Sequence, residues 1–117
     1  MRKIVCLCGS TRFKDAFIEA NRDETLKGHI VLSVGMFGHQ EGIDMDGPIK
    51  SSLDELHMDK IDLSHEVLVL DVDKYVGEST AREIRYARQS GKPVRFWSEE
   101  RPIPFSDRGP GTDVRQT

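Results

Sequence analysis

Cysteine is scarce in this chain, long apolar runs are missing, and neither sign of charge predominates. Only Cys6 and Cys8 occur among 117 residues. Two cysteines so close together cannot build a disulfide framework, and no Cys/His group at zinc-ligand spacing accompanies them. A reducing, cytoplasmic setting is the expectation. The longest apolar stretches, IVLSV and VLVL, are too short to span a bilayer, which argues against a membrane partner. The basic opening Met1-Arg2-Lys3 leads into an apolar run that breaks at Gly9, so no secretory leader is expected. Seventeen basic residues against twenty acidic ones give a net charge of -3. That balance leaves no basic footprint for a nucleic acid polymer.

What is present reads as one modest domain over residues 1–97, followed by an irregular tail over 98–117. Residues 3–8 are a strand. A helix follows over 11–27, with Phe13, Ala16, Phe17 and Ala20 at i, i+3, i+4 and i+7 and Gly28 as its stop. His29–Val34 is a second strand. The stretch 35–50 holds four glycines and a proline, a composition that suits a mobile or ligand-covering loop. A second helix is expected from about Ser52 to Ser64, with Ser52 and Glu55 as a capping box. Glu66–Val72 is nearly continuous in apolar residues, as a strand buried on both faces should be. A third helix from about Thr80 to Ser90 ends at Gly91-Lys92-Pro93, and Val94–Trp97 is a last short strand.

Strands alternating with helices predict an α/β domain with a parallel sheet of four or five strands between two helical layers. The expected order is 2-1-3-4, flavodoxin-like. Such a sheet binds ligands outside the carboxyl ends of its strands, where the winding direction reverses between strands 1 and 3. Two loops should therefore face each other. The first carries Gly9, Ser10, Thr11 and Arg12: a flexible backbone position, two hydroxyls at a helix start and a planar cation, suited to a phosphate or sugar. The second carries Asp71 and Asp73 at the end of strand 3, then Gly77, Ser79 and Thr80. Glu83 lies three residues past Thr80. Spacing alone favours a capping box between Thr80 and Glu83. The alternative turns Glu83 into the crevice near Asp71 or Asp73, a carboxylate cluster able to run acid–base or glycosyl chemistry.

The segment VLVLDVDKYVGESTAREIRYARQSGKPV resembles the hallmark of the nucleoside 2-deoxyribosyltransferase superfamily. An acidic strand end leads into a Gly/Ser/Thr loop, then a helix reading Glu83-Ile84-Arg85-Tyr86-Ala87, then Gly91-Lys92-Pro93. The opening CLCGSTR is similar to that of the deoxynucleoside 5′-monophosphate N-glycosidase branch. The segment also resembles a group of small bacterial and phage proteins. The resemblance spans about residues 3–97. It implies a flavodoxin-like fold, no metal or other cofactor, a homodimer, and a small nucleoside or nucleotide as partner. It implies cleavage or transfer at an N-glycosidic bond with Glu83 as nucleophile. Asp71 or Asp73 then orients the sugar or protonates the base, while Gly9, Ser10, Thr11, Arg12, Gly77, Ser79 and Thr80 hold phosphate or sugar hydroxyls. Asp59 is the matching helix-2 carboxylate.

Two other readings compete. Arg85 and Cys6 stand where the family has glycine and tyrosine, which suits a non-catalytic nucleotide-binding module in the same crevice. Cys6 with Arg12 also satisfies the C-x5-R spacing of low-molecular-weight phosphatases, in which a thiolate nucleophile sits under a phosphate-wrapping loop. Against that, Cys6 falls inside the strand rather than at its end. Both cysteines point to one side of strand 1 and are expected to be small buried residues. His57 borders an apolar face formed by Leu53, Leu56 and Leu63 and is expected to pack or to lie at the surface. His39 in the long loop is within reach of a ligand. Tyr75 and Trp97 either stack on a base or fill space.

Overall fold

The computed structural model describes residues 1–38, 42 and 47–100. His39 and the tail beyond residue 100 lie outside them. Four strands form one parallel sheet: β1 (Ile4–Cys8), β2 (Ile30–Leu32), β3 (Glu66–Val69) and β4 (Val94–Phe96), in the order β2-β1-β3-β4. The helices described in full are α1 (Lys14–Leu26), α2 (Gly47–Leu63), α3 (Glu78–Gln89) and the short α4 (Trp97–Glu100). A single 3-10 turn, Val72–Lys74, follows β3. The expected α/β architecture and strand order are both present.

Residue alternation explains how the sheet is covered. Side chains two apart in a strand share a face. Val5 and Leu7 of β1, with Leu68 and Leu70 from the β3 segment, pack under Ala16, Phe17 and Ala20 of α1 and Trp97 of α4. Cys6 and Cys8, with Val67 and Val69, face the other way and meet Ile61 of α2 and Ile84 and Ala87 of α3. Register aligns Cys6 with Leu32 on one side and Val67 on the other, and Cys8 with Val69. All four residues of β3 are buried, as a central parallel strand requires.

Several boundaries differ from expectation for local reasons. α1 starts at Lys14, because Ser10–Phe13 closes a turn first, with Phe13 N–H donating to Ser10 C=O at 3.0 Å. α2 starts at Gly47, five residues before Ser52, so Ser52 lies inside the helix and does not cap it. Pro48 fits the first turn, where its missing N–H has no intrahelical partner to lose. The ends of α3 and α2 are closed locally. Gly91 takes φ of +77°, and the Lys92 N–H returns to Ala87 C=O at 2.9 Å in a Schellman-type closure. Lys92 Nζ meanwhile donates to the Asp62 and Ser64 carbonyls at the end of α2.

Candidate active site

The two loops at the carboxyl edge do meet. Arg12 lies over the Tyr75 ring at 4.9 Å, and Phe13 sets its ring edge-on to Tyr75 with centroids 5.8 Å apart. Within the first loop the Arg12 N–H donates to Ser10 Oγ at 3.3 Å. Gly9 has a structural reason to be glycine. A Cβ there would stand 3.2 Å from both the Leu70 Cβ and the Leu70 carbonyl oxygen, where β1 and β3 run side by side. In the second loop Asp73 adopts φ of 51°, in the left-handed region that aspartate tolerates. Tyr75 is therefore a loop-to-loop contact, and Trp97 is buried in the α1-side core.

Glu83 faces inward from α3. The helix begins at Glu78 after Gly77, without a side-chain cap, so Thr80 is a buried residue of the first turn and the expected Thr80–Glu83 capping box is not formed. The Glu83 carboxylate is 12 % exposed and lies 4.0 Å from His57 Nε2. The groups that act most on it are His57, the two cysteines and Asp54. Asp71 spends both oxygens on α4, accepting from the Ser98 N–H at 2.8 Å and from Ser98 Oγ at 2.7 Å. Asp73 is exposed on the turn. The carboxylate that repels Glu83 is Asp54 of α2. Asp59, the candidate drawn from family resemblance, points to solvent, as does Arg85.

The inward neighbours of Glu83 are the two thiols. His57 Nε2 is 3.4 Å from Cys8 Sγ and 3.7 Å from Cys6 Sγ. All three residues are buried, and their donor atoms lie within 4.8 Å of one another. Charge is redistributed across this cluster. A hydrogen bond from the Cys8 thiol, then the contact with His57, bring the Cys6 thiol down to about 6, while the same hydrogen bond and burial push Cys8 up. Burial works against a charged His57, but Cys6 and Glu83 outweigh it and raise its pKa. Glu83 is raised by burial, and His57 offsets only part of that.

Two cations meet at Ser79 and Asp54. Lys50 Nζ reaches Ser79 Oγ at 3.1 Å and Asp54 at 3.2 Å. Arg82 reaches Ser79 Oγ at 3.2 Å, Glu78 at 3.1 Å and Asp54 at 3.8 Å. Ser79 thus sits between a lysine of α2 and an arginine of α3. Neither cation stood out in the sequence.

The thiol arrangement differs from a phosphate-wrapping loop. Cys6 is mid-strand, fully buried and aimed at His57 beneath α2, while Arg12 stacks on Tyr75. No family model matches the chain, and no curated protein matches it either.

Proposed function

We propose that the chain binds a nucleoside or nucleoside 5′-monophosphate at the carboxyl edge of the sheet and cleaves or transfers its N-glycosidic bond. The observation that carries this reading is the placement of Glu83. A largely buried carboxylate, free of the helix cap that its spacing suggested, lies beside a histidine, and on the same helix pair two cations meet at Ser79. In the proposed reaction a Glu83 oxygen attacks the anomeric carbon as the carbon–nitrogen bond breaks. The base leaves with the bonding pair and collects a proton, and water or an acceptor base then takes the sugar from the glutamate. His57 is the positioning residue, since its raised pKa lets it balance the Glu83 charge away from water. Asp73 on the exposed turn serves proton delivery, whereas Asp71 is committed to Ser98. Ser79 with Lys50 and Arg82 holds the phosphate or sugar hydroxyls, as do Gly9, Ser10, Thr11 and Arg12 across the crevice, with Gly77 and Thr80 shaping the turn between them. The resemblance to the deoxyribosyltransferase superfamily supports the same assignment, and a homodimer comes with it.

The test is incubation with a panel of nucleosides and 5′-monophosphates, following free base by chromatography. Glu83→Gln should reduce release by at least about a thousandfold while leaving nucleotide affinity near that of the parent, the signature of an interaction made only in the transition state. Release at a similar rate from the Gln variant would refute Glu83 as nucleophile. Nucleotide binding without turnover by the parent chain would favour the non-catalytic module, a reading that the engagement of Glu83 with His57 also suits.

A further inference from the structure

Beneath Glu83, the geometry points to a binding site for a thiophilic divalent cation, zinc by preference, on Cys6 Sγ, Cys8 Sγ and His57 Nε2, with the Glu83 carboxylate as the fourth ligand. This inference concerns the donors alone and does not rest on the glycosidase reading; a Glu83 held by the metal cannot attack a sugar, so the metal-loaded chain is a state distinct from the one that would turn over.

Distance is the first support. Zinc holds sulfur at about 2.3 Å and imidazole nitrogen at about 2.0–2.1 Å, so tetrahedral sulfur and nitrogen ligands lie about 3.6 Å apart. The two Sγ–Nε2 separations here, 3.4 and 3.7 Å, bracket that value. The three donor atoms fall within 4.8 Å of one another, and two sulfurs on one zinc lie about 3.8 Å apart, so the closing movement is of the order of a rotamer adjustment. The fourth donor, Glu83 Oε1, is 4.0 Å from Nε2, against about 3.3 Å across a tetrahedral edge.

Chemistry is the second support. Two thiolates, one imidazole and one carboxylate are the ligand types zinc selects, and soft sulfur disfavours magnesium and calcium. One nitrogen of His57 meets all three neighbours, which is the convergence a metal requires and a hydrogen-bonding histidine does not. The platform is rigid: both cysteines sit on the central strand β1, hydrogen-bonded on both sides, and His57 lies on α2 one turn before the buried Ile61. Entry runs past Glu83 and His57, whose side chains are 12 % and 9 % exposed. Binding takes up the two sulfurs as thiolates and releases any proton they carry to solvent.

Titration of the full chain with Co²⁺ under a non-thiol reductant tests this without any activity assay. One Co²⁺ per chain is expected, with an intense thiolate-to-cobalt charge-transfer band and the strong visible bands of a tetrahedral site. One equivalent of Zn²⁺ should bleach both. Cys6→Ser, Cys8→Ser and His57→Gln should each weaken binding at least about 100-fold, and Glu83→Gln about 10-fold, with retention of fold checked by circular dichroism. If a serine variant fails to fold, a Zn²⁺-dependent rise in the melting temperature of the parent chain, reversed by a chelator, serves in its place. Absence of the charge-transfer band at stoichiometric Co²⁺, or binding that survives Cys6→Ser unchanged, overturns the proposal.

Discussion

Replacing Arg95 by methionine would leave three carboxylates facing one another across β4, β3, α1 and α4. The guanidinium donates to Glu66 at 2.7 Å, to Glu24 at 2.9 Å and to Glu100 at 2.9 Å. The Glu24 and Glu66 side chains are only 3 % and 11 % exposed. Removing one partner of a buried ion pair costs about 3–5 kcal/mol. Two features reduce that here. Arg95 is itself 25 % exposed, and the carboxylates keep other partners: Lys27 and His29 at Glu24, Lys3 at Glu66. The Glu100 contact lies at the surface and adds at most about 1 kcal/mol. A loss of about 2–3 kcal/mol is expected, or a fall of roughly 10–20 °C in melting temperature for a domain of this size. Urea denaturation at neutral pH measures it. The acid limb gives a second check. Burial alone would raise both glutamates, but His29, Lys27 and Arg95 outweigh it at Glu24, and Lys3 and Arg95 do so at Glu66, so both are lowered from 4.5. A carboxylate lowered on folding adds stability that is complete above its ordinary value and is lost as pH falls through the lowered one. The gap between parent and Arg95→Met should therefore be full at pH 7 and shrink below about pH 4. A loss under about 1 kcal/mol at pH 7, or a gap that widens in acid, would refute this account of the network.

Asp71→Asn should lower stability by about 1–2 kcal/mol through the Ser98 cap and leave base release almost unchanged; a large fall in turnover with the fold intact would return Asp71 to the chemistry. Lys50→Ala and Arg82→Ala should each raise KM for a 5′-monophosphate several-fold and leave KM for the matching nucleoside within about twofold, read from initial rates on both substrates. Gly91→Ala should cost about 1 kcal/mol by thermal melting, because φ of +77° strains any residue with a Cβ.

The sheet was legible because its signals are local. VLVL with its flanking helices predicts a central parallel strand, and Gly28 and Gly91 mark helix ends that the structure keeps. The phase of α2 was not. Reading Leu56 and Leu63 as its inner face put His57 at a border, yet both leucines are about half exposed or more, and the inner line runs through His57, Ile61 and Ser64. That line places a histidine at its centre, a signal present in the sequence but masked by the more numerous leucines. The Glu83 environment is illegible for a different reason. Cys8 and His57 are 49 positions apart, and only the packing of α2 onto the face that β1 turns toward it brings them together. Capping spacing likewise misled at Thr80, because Gly77 caps the helix three residues earlier than the threonine would have.

The strand order also dictates when during synthesis the thiols become protected. β1 is made first, but every layer that hides Cys6 and Cys8 comes later: α2 with His57 and Ile61, then β3, then α3 with Ile84 and Ala87. At about 5–20 residues per second, the roughly 80 residues from Cys8 to the end of α3 take on the order of 4–16 s to emerge. Through that interval a nascent chain offers two adjacent, uncovered sulfurs to oxidants and alkylating agents, whereas the finished fold buries both. The vulnerability of these cysteines to chemical modification should therefore track translation rate rather than the stability of the completed domain.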